Sequence, residues 1–265
     1  ALTEKSHAAR VWEALEDPGL YTVVQTAPAV RVAIGEMFGL DPGTPVTGKM
    51  VSALKRLGFD RVFDTNFSAD LTIMEEVSEL IQRINEGGQL PMITSCSPGW
   101  INYLEYFFPH LTGHLSTCKS PQQMFGAIIK TYYAEKAGIP ADRIFTVSVM
   151  PCTAKKYESQ RPEMHSSGYR DVDAVLTTRE LGAMLKEAGI DLLSSSEQSF
   201  DEPFGPGSGA GAIFGNTGGV MEAALRTAYE MITGEELKNL EFHQIRNLDQ
   251  VKEASVDIGG MKLSV

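Results

Sequence analysis

Two short segments contain the residues best suited to chemistry, and each is built around a cysteine. Cys96 lies in TSCSPGW at 94–100 and Cys152 lies in MPCTAKKYE at 150–158, in a chain with only three cysteines among 265 residues. Each segment follows an apolar, β-branched run of the kind that forms a strand. Ligands of α/β proteins gather outside the carboxyl ends of strands, and a thiolate can bind a metal or exchange a proton. Both cysteines are therefore candidates for a functional site.

The residues next to each cysteine bear on how its thiol would behave. Lys155 and Lys156 follow Cys152 in the same loop, and nearby cations lower the pKa of a thiol and favour the thiolate. The Pro-Gly pair after Cys96 favours a tight turn that would hold this thiol at the edge of the sheet. On sequence alone, a structural cysteine is the alternative at both positions. Cys118, which precedes a helix start, is interpreted as structural.

The composition is that of an ordinary globular protein. Hydrophobic residues make up 43% and charged residues 22% of the chain, and 265 residues suffice for one large domain or two modest ones. A net charge of −11 argues against nucleic acid as a partner. No apolar run is long enough to insert into a membrane. An odd number of cysteines without paired spacing indicates reduced thiols, so we expect a cytoplasmic location.

Strands and helices alternate along the chain, which is the pattern of parallel βαβ units. The almost wholly apolar run 144–150, which leads to Cys152, is typical of a strand buried on both faces of a sheet. We predict strands at 21–26, 61–65, 90–94, 144–150 and 173–177, and mostly strand over 240–258. We predict helices at 30–38, 46–57, 68–84, 120–136, 178–188 and 218–232.

This pattern predicts an α/β fold with two stacked lobes of parallel β-sheet flanked by helices. The first lobe, 1–160, carries both cysteine segments, and the second lobe covers 161–265. The segment 255–265 has the pattern of a hairpin whose second strand has barely begun. We therefore expect the second lobe to be incomplete and the chain to be truncated at its C-terminus.

Three glutamates share the predicted helix 68–84 with an arginine. They are Glu75, Glu76 and Glu79, and Arg83 follows the last of them by four residues. Glutamate and arginine at this spacing form ion pairs on helix surfaces. On the residues alone, a solvated helix face is the preferred interpretation.

The two cysteine segments together closely resemble the first and second signature segments of the catalytic domain of the [FeFe]-hydrogenases. The stretches 171–181 and 209–226 resemble further segments typical of that family. The resemblance implies reversible oxidation of H2 to protons and electrons at an H-cluster in a cleft between the two lobes. The H-cluster joins a [4Fe-4S] cubane to a diiron subsite with CO, cyanide and azadithiolate. The implied partners are H2, protons, and ferredoxin-like or NAD(P)-linked electron-transfer domains or subunits.

The resemblance also implies roles for individual residues. Cys152 is implied as a cubane ligand, and Lys155 as a hydrogen-bond donor to a cyanide of the diiron subsite. Cys96 occupies the position of the cysteine that passes protons to the azadithiolate amine. The implied relay that carries protons outward from Cys96 consists of Glu76, Ser116, Glu79 and Arg83. The implied walls of the diiron pocket are Met150, Phe214, Ala27, Pro28, Pro121 and Gln122.

Two departures from the family pattern affect the cubane. The family usually has a second cysteine, a cubane ligand, where this chain has Ser97. Either Ser97 is a ligand, although iron–sulfur clusters prefer thiolates, or Cys96 takes over that role. The third signature of the family, with two more cubane cysteines, is expected beyond Val265. The chain alone is therefore expected to be free of the H-cluster and inactive.

Two other functions compete with this interpretation. The first is a non-catalytic, hydrogenase-like protein in redox sensing or iron–sulfur protein assembly. Relatives with an assembly role lack the diiron pocket, so Met150, Lys155 and Phe214 argue against it. The second is a thiol-based transferase with Cys96 as nucleophile, which lacks a histidine base nearby in sequence.

Overall fold

Four parallel strands form the central sheet of the chain in a computed structural model. The structure describes residues 4–204, 207–238, 240, 243–244, 252–258 and 260–265. The strands of this sheet are β1 Tyr21–Thr26, β2 Arg61–Asp64, β3 Ile144–Val149 and β4 Ala174–Leu176. Their order across the sheet is β2-β1-β3-β4, so β1 and β3 are the central pair.

The central strands β1 and β3 form because their sequences, YTVVQT and IFTVSV, are rich in β-branched residues. Most of their residues are buried, as expected for parallel strands covered on both faces. Their pairing begins with Tyr21 opposite Ile144 and ends with Thr26 opposite Val149. The N–H of Ala27 then donates to the carbonyl of Val149 at 3.0 Å. This register places the residues that follow β1 beside those that follow β3.

Helices cover both faces of this sheet. A 3-10 turn, Ile34–Phe38, follows α2, and a π-helical turn, Ile129–Tyr133, joins α6 to α7. The α-helices of the described residues are α1 Ala8–Glu16, α2 Val30–Ala33, α3 Thr47–Leu57, α4 Thr65–Glu86, α5 Pro98–Phe107, α6 Pro121–Ile128, α7 Ala134–Ala137, α8 Ala154–Glu158, α9 Thr178–Glu187, α10 Gly209–Ile213 and α11 Gly219–Thr233.

Separate hydrophobic cores lie on the two faces of the sheet. On one face, Val24 and Val147 pack with Met50 of α3 in a core that also contains residues of α9. On the other face, Phe63 packs against Phe125 of α6, with 5.7 Å between the ring centroids. These cores fix α3, α6 and α9 against the sheet. The position of α6 is important below because the helix begins at the carboxyl edge of the sheet.

The helix α4 connects the sheet to a third core. It spans 22 residues, and Asp64 caps its start by accepting a hydrogen bond from the N–H of Asn66 at 3.0 Å. Farther along, Ile73 and Val77 pack with Ala228 of α11 and with the hairpin near the end of the chain. One face of α4 is therefore buried over much of its length, which the acidic pattern of 75–79 did not indicate.

The structure confirms an α/β fold with a parallel sheet flanked by helices, and it corrects two predicted elements. The helix predicted from 68 begins at Thr65, because Asp64 caps it directly at the end of β2. The strand predicted at 90–94 is wrong. Only Ile93 forms an isolated bridge, to Leu115, and Pro91 has no N–H for a ladder.

The second half of the chain differs in part from its prediction. β4 lies in the segment 161–265 but pairs with β3, so the central sheet crosses the predicted boundary at 160. The division into two lobes at that point stays a prediction. Short antiparallel pairs follow, and the predicted hairpin at 255–265 is present. The first pair consists of β5 His243–Gln244 and β6 Lys252–Glu253. The hairpin consists of β7 Ser255–Ile258 and β8 Met261–Ser264.

Of the segment 240–258 predicted as mostly strand, residues 241–242 and 245–251 lie outside the described residues. Among the helices that the structure describes, none has both the length and the apolar composition needed to cross a membrane.

A glycine in α6 provides a test of how closely this helix is packed. A Cβ added at Gly126 would lie 2.3 Å from the carbonyl oxygen of Asp171, whose main chain cannot swing away like a side chain. We expect Gly126→Ala to lower the free energy of unfolding by about 2 kcal/mol in urea titrations. The control is Gly99→Ala in α5, where an added Cβ meets no atom within 4 Å. Equal stabilities of the two variants would contradict the packing of α6.

Candidate functional site

The candidate site lies where the strand order of the central sheet reverses, between β1 and β3. In open α/β sheets, ligands bind outside the carboxyl ends of the strands at such a point. A cavity of about 210 Å³ lies there, bordered by Pro28 after β1 and Met150 after β3. Its remaining walls are Thr65, Asn66, Ala69, Cys96, Pro121, Gln122, Lys155, Gly211 and Phe214.

The walls of this cavity are mainly apolar, with a few polar groups. Small apolar cavities with a few placed polar groups are typical of ligand sites. The predicted pocket residues at these walls are Pro28, Pro121, Gln122, Met150, Lys155 and Phe214. Ala27, next to Pro28 in the chain, is buried but is not part of the wall, and its N–H donates to the carbonyl of Val149.

Four wall residues were not predicted from the sequence. Thr65, Asn66 and Ala69 lie in the first turns of α4, directly after β2. Had α4 been predicted to begin at the end of β2, these residues would have been expected at the site, because ligands bind outside the carboxyl ends of strands. The fourth is Gly211, whose position depends on long-range contacts.

The segment that carries Gly211 and Phe214 is held over the start of α4 by one carboxylate. Asp70 accepts hydrogen bonds from the N–H of Gly211, at 2.7 Å, and from the N–H of Ser208. A Cβ at Gly211 would lie 3.0 Å from the carbonyl oxygen of Asn66. Glycine is needed here because the two main chains approach so closely. This contact places α10 and the following Phe214 at the cavity.

One wall of the cavity carries an anchored positive charge. Lys155, in α8, donates to both carboxylate oxygens of Glu158 at 3.0 and 3.1 Å and to the carbonyl of Cys96 at 2.8 Å. Gln122 donates to Glu158 at 2.9 Å, and its own Oε1 is buried without a hydrogen-bond partner among the described residues. Glu158 therefore fixes the side chains of Lys155 and Gln122 at this wall. No role was predicted for Glu158 from the sequence.

The Cys96 thiol lies at the same wall, and its surroundings favour the protonated form. Burial raises the pKa of the thiol, the nearby carboxyl of Glu76 adds to the rise, and the Lys155 ammonium opposes it. Near neutral pH the thiol therefore keeps its proton. A protonated thiol at the cavity wall can donate a proton to a group bound inside.

Behind Cys96, on α4, lies the buried carboxyl of Glu76. Glu76 is 1% exposed, and neither of its oxygens makes a well-formed hydrogen bond to the described residues. Burial raises its pKa to about 7; the Ser116 hydroxyl and the N–H of Ser95 oppose this rise, and the charge of Glu79 adds to it. A carboxyl with a pKa near neutrality can both accept and donate a proton under ordinary conditions.

Glu79, one helical turn farther along, has the opposite character. Its Oε2 accepts from Ser116 Oγ at 3.0 Å and from Thr117 N and Oγ1 at 2.9 and 3.1 Å, and Cys118 Sγ lies 3.7 Å away. Its Oε1 accepts from Arg83 Nε and Nη2 at 3.0 and 2.6 Å. Although burial acts to raise the pKa of Glu79, these donors lower it on balance.

The carboxyl groups on α4 contact Ser116 because the segments before Cys96 and around Ser116 are joined by main-chain hydrogen bonds. The N–H of Ile93 donates to the carbonyl of His114 at 2.8 Å, and the N–H of Ser116 donates to the carbonyl of Ile93 at 2.7 Å. Farther along, Ser95 Oγ donates to the carbonyl of Cys118 at 2.8 Å. The structure therefore brings together the sequence-predicted residues Glu76, Ser116, Glu79 and Arg83.

The predicted cubane residues are placed differently. Cys152 and Ser97 are both exposed, and neither belongs to the wall of the 210 Å³ cavity. Among the residues that the structure describes, no group of three His, Cys, Asp or Glu side chains is arranged to hold a metal ion. A cubane takes four ligands, so the described residues alone do not complete such a site.

Comparison with known proteins gives a consistent result. The family described as iron only hydrogenase large subunit, C-terminal domain, matches residues 20–265. The NADP-reducing hydrogenase subunit HndD of Solidesulfovibrio fructosivorans is 54% identical over 100% of this chain and 46% of its own length. Iron hydrogenase 1 of Clostridium pasteurianum is 51% identical, again over 100% of this chain and 46% of its own length. The cytosolic iron-sulfur assembly component 3 of Mus musculus is 33% identical over 86% of this chain and 50% of its own length.

Solved structures agree in fold. A variant of [FeFe]-hydrogenase HydA1 from Chlamydomonas reinhardtii superposes with a TM-score of 0.83 and 49% identity, over 95% of this chain and 64% of that one. A second [FeFe]-hydrogenase structure, concerned with oxygen inactivation that is initiated by modification and degradation of the H cluster 2Fe subcluster, has a TM-score of 0.82 and 48% identity. It is matched over 95% of this chain and 64% of its own. The chain thus spans about half the length of its sequence relatives and two thirds of these structures.

The buried carboxyl of Glu76 predicts a specific dependence of stability on pH. Its folded pKa of about 7 lies above the usual glutamate value of 4.5, so the folded state holds this proton more tightly than the unfolded state. The resulting stabilisation is complete at low pH and is lost as pH rises towards and past 7. We expect the wild type to lose about 3 kcal/mol relative to Glu76→Gln between about pH 5 and pH 8.

The measurement is urea unfolding at several pH values. The control is Glu75→Gln, which removes an exposed carboxyl from the same helix and should leave the dependence on pH unchanged. A constant stability difference between the wild type and Glu76→Gln across this range would contradict the raised pKa.

Proposed function

This chain belongs to the family of iron-only hydrogenase large subunits, and from that membership we propose that it is the catalytic domain of an [FeFe]-hydrogenase. The proposed reaction is the reversible oxidation of H2 to protons and electrons. The observation that carries the proposal is the position of Cys96. Its thiol borders the 210 Å³ cavity, and a buried carboxyl close to it begins a chain of polar side chains on the side away from the cavity.

The walls of this cavity fit the diiron subsite of an H-cluster. Apolar side chains would keep a bound group dry, and Lys155 offers an ammonium to an anionic ligand such as cyanide, an arrangement that favours short, strong hydrogen bonds. The residues that would surround the subsite are Pro28, Pro121, Gln122, Met150, Lys155 and Phe214, with the buried Ala27 next to Pro28 in the chain. When bound, the H-cluster would supply the centre at which H2 is cleaved or formed.

The cubane part of the cluster needs more than the described residues. We propose Cys152 as one ligand because its thiol is exposed at the end of β3, close in sequence to Lys155. Ser97 or Cys96 is proposed as another. Cys96 borders the 210 Å³ cavity, whereas Ser97 is exposed outside it, and this difference favours the proton-donor role for Cys96 and leaves the ligand role to Ser97.

The proposed proton path begins at Cys96, which donates at the cavity wall and regains a proton from Glu76. Glu76 can give up this proton because its pKa lies near neutrality. Ser116 can pass a proton on, since a hydroxyl both donates and accepts, and it already donates to Glu79 at 3.0 Å. Arg83 holds Glu79 in place. In this setting, the buried Glu76 and the half-buried Glu79 form a relay rather than a solvated helix face.

The alternative functions are less well supported. The assembly component is 33% identical to this chain, whereas the two hydrogenases are 54% and 51% identical. The transferase hypothesis requires an activated nucleophile at Cys96, but the pKa of this thiol is raised rather than lowered. Both observations favour the hydrogenase.

The partners and location are proposed on the same basis. We propose H2 and protons as substrates and a ferredoxin-like or NAD(P)-linked domain or subunit as the electron partner, and one relative is named an NADP-reducing hydrogenase subunit. We propose the cytoplasm as the location, because the three thiols of the chain are free and unpaired in disulfides. Another relative is named a periplasmic hydrogenase, so fractionation of cells is the direct test.

The relay predicts the effect of replacing Glu79 in the full-length protein loaded with the H-cluster. Glu79→Gln keeps the size of the side chain but removes its ability to carry a proton. We expect H2 evolution from reduced viologen to fall by about a hundredfold, the usual scale for loss of a proton-transfer group. The infrared bands of CO and cyanide should stay unchanged, because Glu79 does not border the cavity.

The matched control is Glu75→Gln, an exposed position on the same helix, which should retain wild-type turnover. No turnover from the loaded wild type would refute the proposed function. Wild-type turnover in Glu79→Gln would refute the relay.

A further inference from the structure

The polar path described above ends at Glu79, and Arg83 cannot carry the proton from there. Arg83 Nε and Nη2 donate to Glu79, and Nη2 also donates to the carbonyl of Leu115 at 2.6 Å. A guanidinium has five N–H donors, no acceptor and a pKa too high for deprotonation. The remaining N–H groups, on Nη1, face the carbonyl oxygens of Gln89, Gly113 and His114 at 3.1 to 3.4 Å.

The other oxygen of Glu79 faces groups that can transfer protons. Around Oε2 lie the hydroxyls of Ser116 and Thr117 and the thiol of Cys118, at 3.0, 3.1 and 3.7 Å. Hydroxyls and thiols can donate and accept in turn, and their hydrogens rotate freely. All three residues also border a second cavity, of about 310 Å³, which is distinct from the 210 Å³ cavity.

This second cavity reaches the protein surface. Among its walls are Glu105 and Glu163, whose side chains are 35% and 50% exposed. A volume of about 310 Å³ has room for several water molecules, which occupy about 30 Å³ each in the liquid. Polar groups line much of it, as water requires.

The cations at the walls of the second cavity are each paired with carboxylates. Arg161 donates to both oxygens of Glu105 at 3.0 and 2.7 Å and also contacts Glu163. Lys119 pairs with Asp171 at 2.6 Å. Because these cations are already paired with carboxylates, the cavity does not present a free charge for an anionic ligand. Its chemistry favours water over an anionic ligand.

We infer that protons pass between Glu79 and solvent through this second cavity, by way of Thr117 and Cys118, while Arg83 acts only as a positioning residue. This inference rests on the proposed function, because it assigns the outer end of the same relay. The step is a proton transfer without change of oxidation state. Protonated Glu79 gives its proton to a hydroxyl or thiol at Oε2, which releases one to water, and in H2 formation the direction is reversed.

The first test asks whether Cys118 is open to the cavity and senses Glu79. Methyl methanethiosulfonate transfers a methylthio group to a thiolate and releases methanesulfinate. The rate at Cys118 in the 265-residue chain would be followed by peptide mass spectrometry, which separates it from the other two cysteines. Burial and the neighbouring carboxylates raise the pKa of this thiol to about 11, so labelling should speed up as pH rises.

Removing the charge of Glu79 should accelerate this labelling. We expect Glu79→Gln to react at Cys118 about threefold faster than the wild type at a fixed pH, because the repelling carboxylate is gone. Glu75→Gln should match the wild type. An unreactive Cys118 in the folded wild type, or equal rates in Glu79→Gln and the wild type, would overturn the inference.

In the second test, Cys118 is capped with a methylthio group by methyl methanethiosulfonate in the full-length protein loaded with the H-cluster. A methylthio group on Cys118 fills the space next to Glu79 Oε2, and we expect turnover to fall about tenfold. The loss should reverse on reduction with dithiothreitol, and the infrared bands of the cofactor should not move. Cys118→Ala, measured with and without the reagent, corrects for labelling elsewhere and should show no reagent-dependent loss.

A substitution pair supplies a test without a reagent. Thr117→Val with Cys118→Ala removes both proton-transferring groups, whereas Thr117→Ser with Cys118→Ser keeps them. We expect the apolar pair to slow turnover and the polar pair to restore it. If Glu79→Gln is slow but neither the cap nor the apolar pair slows turnover, the exit through this cavity is wrong and the proposed function stands. If Glu79→Gln itself is not slow, the relay on which the inference rests is wrong.

Discussion

The in-register pairing of β1 with β3 is the constraint on which the candidate site depends. Because Thr26 and Val149 end their strands level with each other, the chain leaves the sheet at two adjacent points, followed by Pro28 and Met150. A slip in this register would move one wall of the cavity away from the other. The caps of α4 and α6, at Asp64 and Ser120, then start both helices at the same edge of the sheet.

Charge is divided between the two sides of Cys96. On the cavity side, Glu158 holds the Lys155 ammonium, so that a positive charge faces any bound group. On the opposite side lies a carboxyl that is neutral or negative depending on pH, and Glu79 beyond it is anionic. A thiol between a cation and an acid is well placed to transfer a proton. The Lys155 ammonium favours the thiolate that forms when the proton leaves, and the Glu76 carboxyl favours the protonated thiol.

The alternation of strands and helices predicted the α/β fold, because this pattern is local. Most of the cavity wall was predicted from the resemblance of the chain to the hydrogenase family. The sequence did not predict that Glu76 is buried, since that depends on the packing of α4 against α11 and on the segment around Ser116, both distant along the chain. The contact between Cys118 Sγ and Glu79 Oε2 depends on the same long-range packing and has no local signal in the sequence. The segment 90–94 has strand propensity, but apart from the single bridge from Ile93 to Leu115 it pairs with no described neighbouring strand.

Glu76 and Glu79 have the same chemistry and lie one turn apart, yet only the second has a full set of well-formed hydrogen bonds. At Glu76 burial outweighs the effect of the nearby donors and raises the pKa, whereas at Glu79 the donors outweigh burial and lower it. A proton therefore has a higher affinity for the inner carboxyl, close to Cys96, than for the outer one. Protonated Glu79 is the less stable state, so a proton that reaches it either returns to Glu76 or leaves through another group at Oε2. Such an arrangement permits transfer in both directions, as a reversible reaction requires, without holding the proton at the surface.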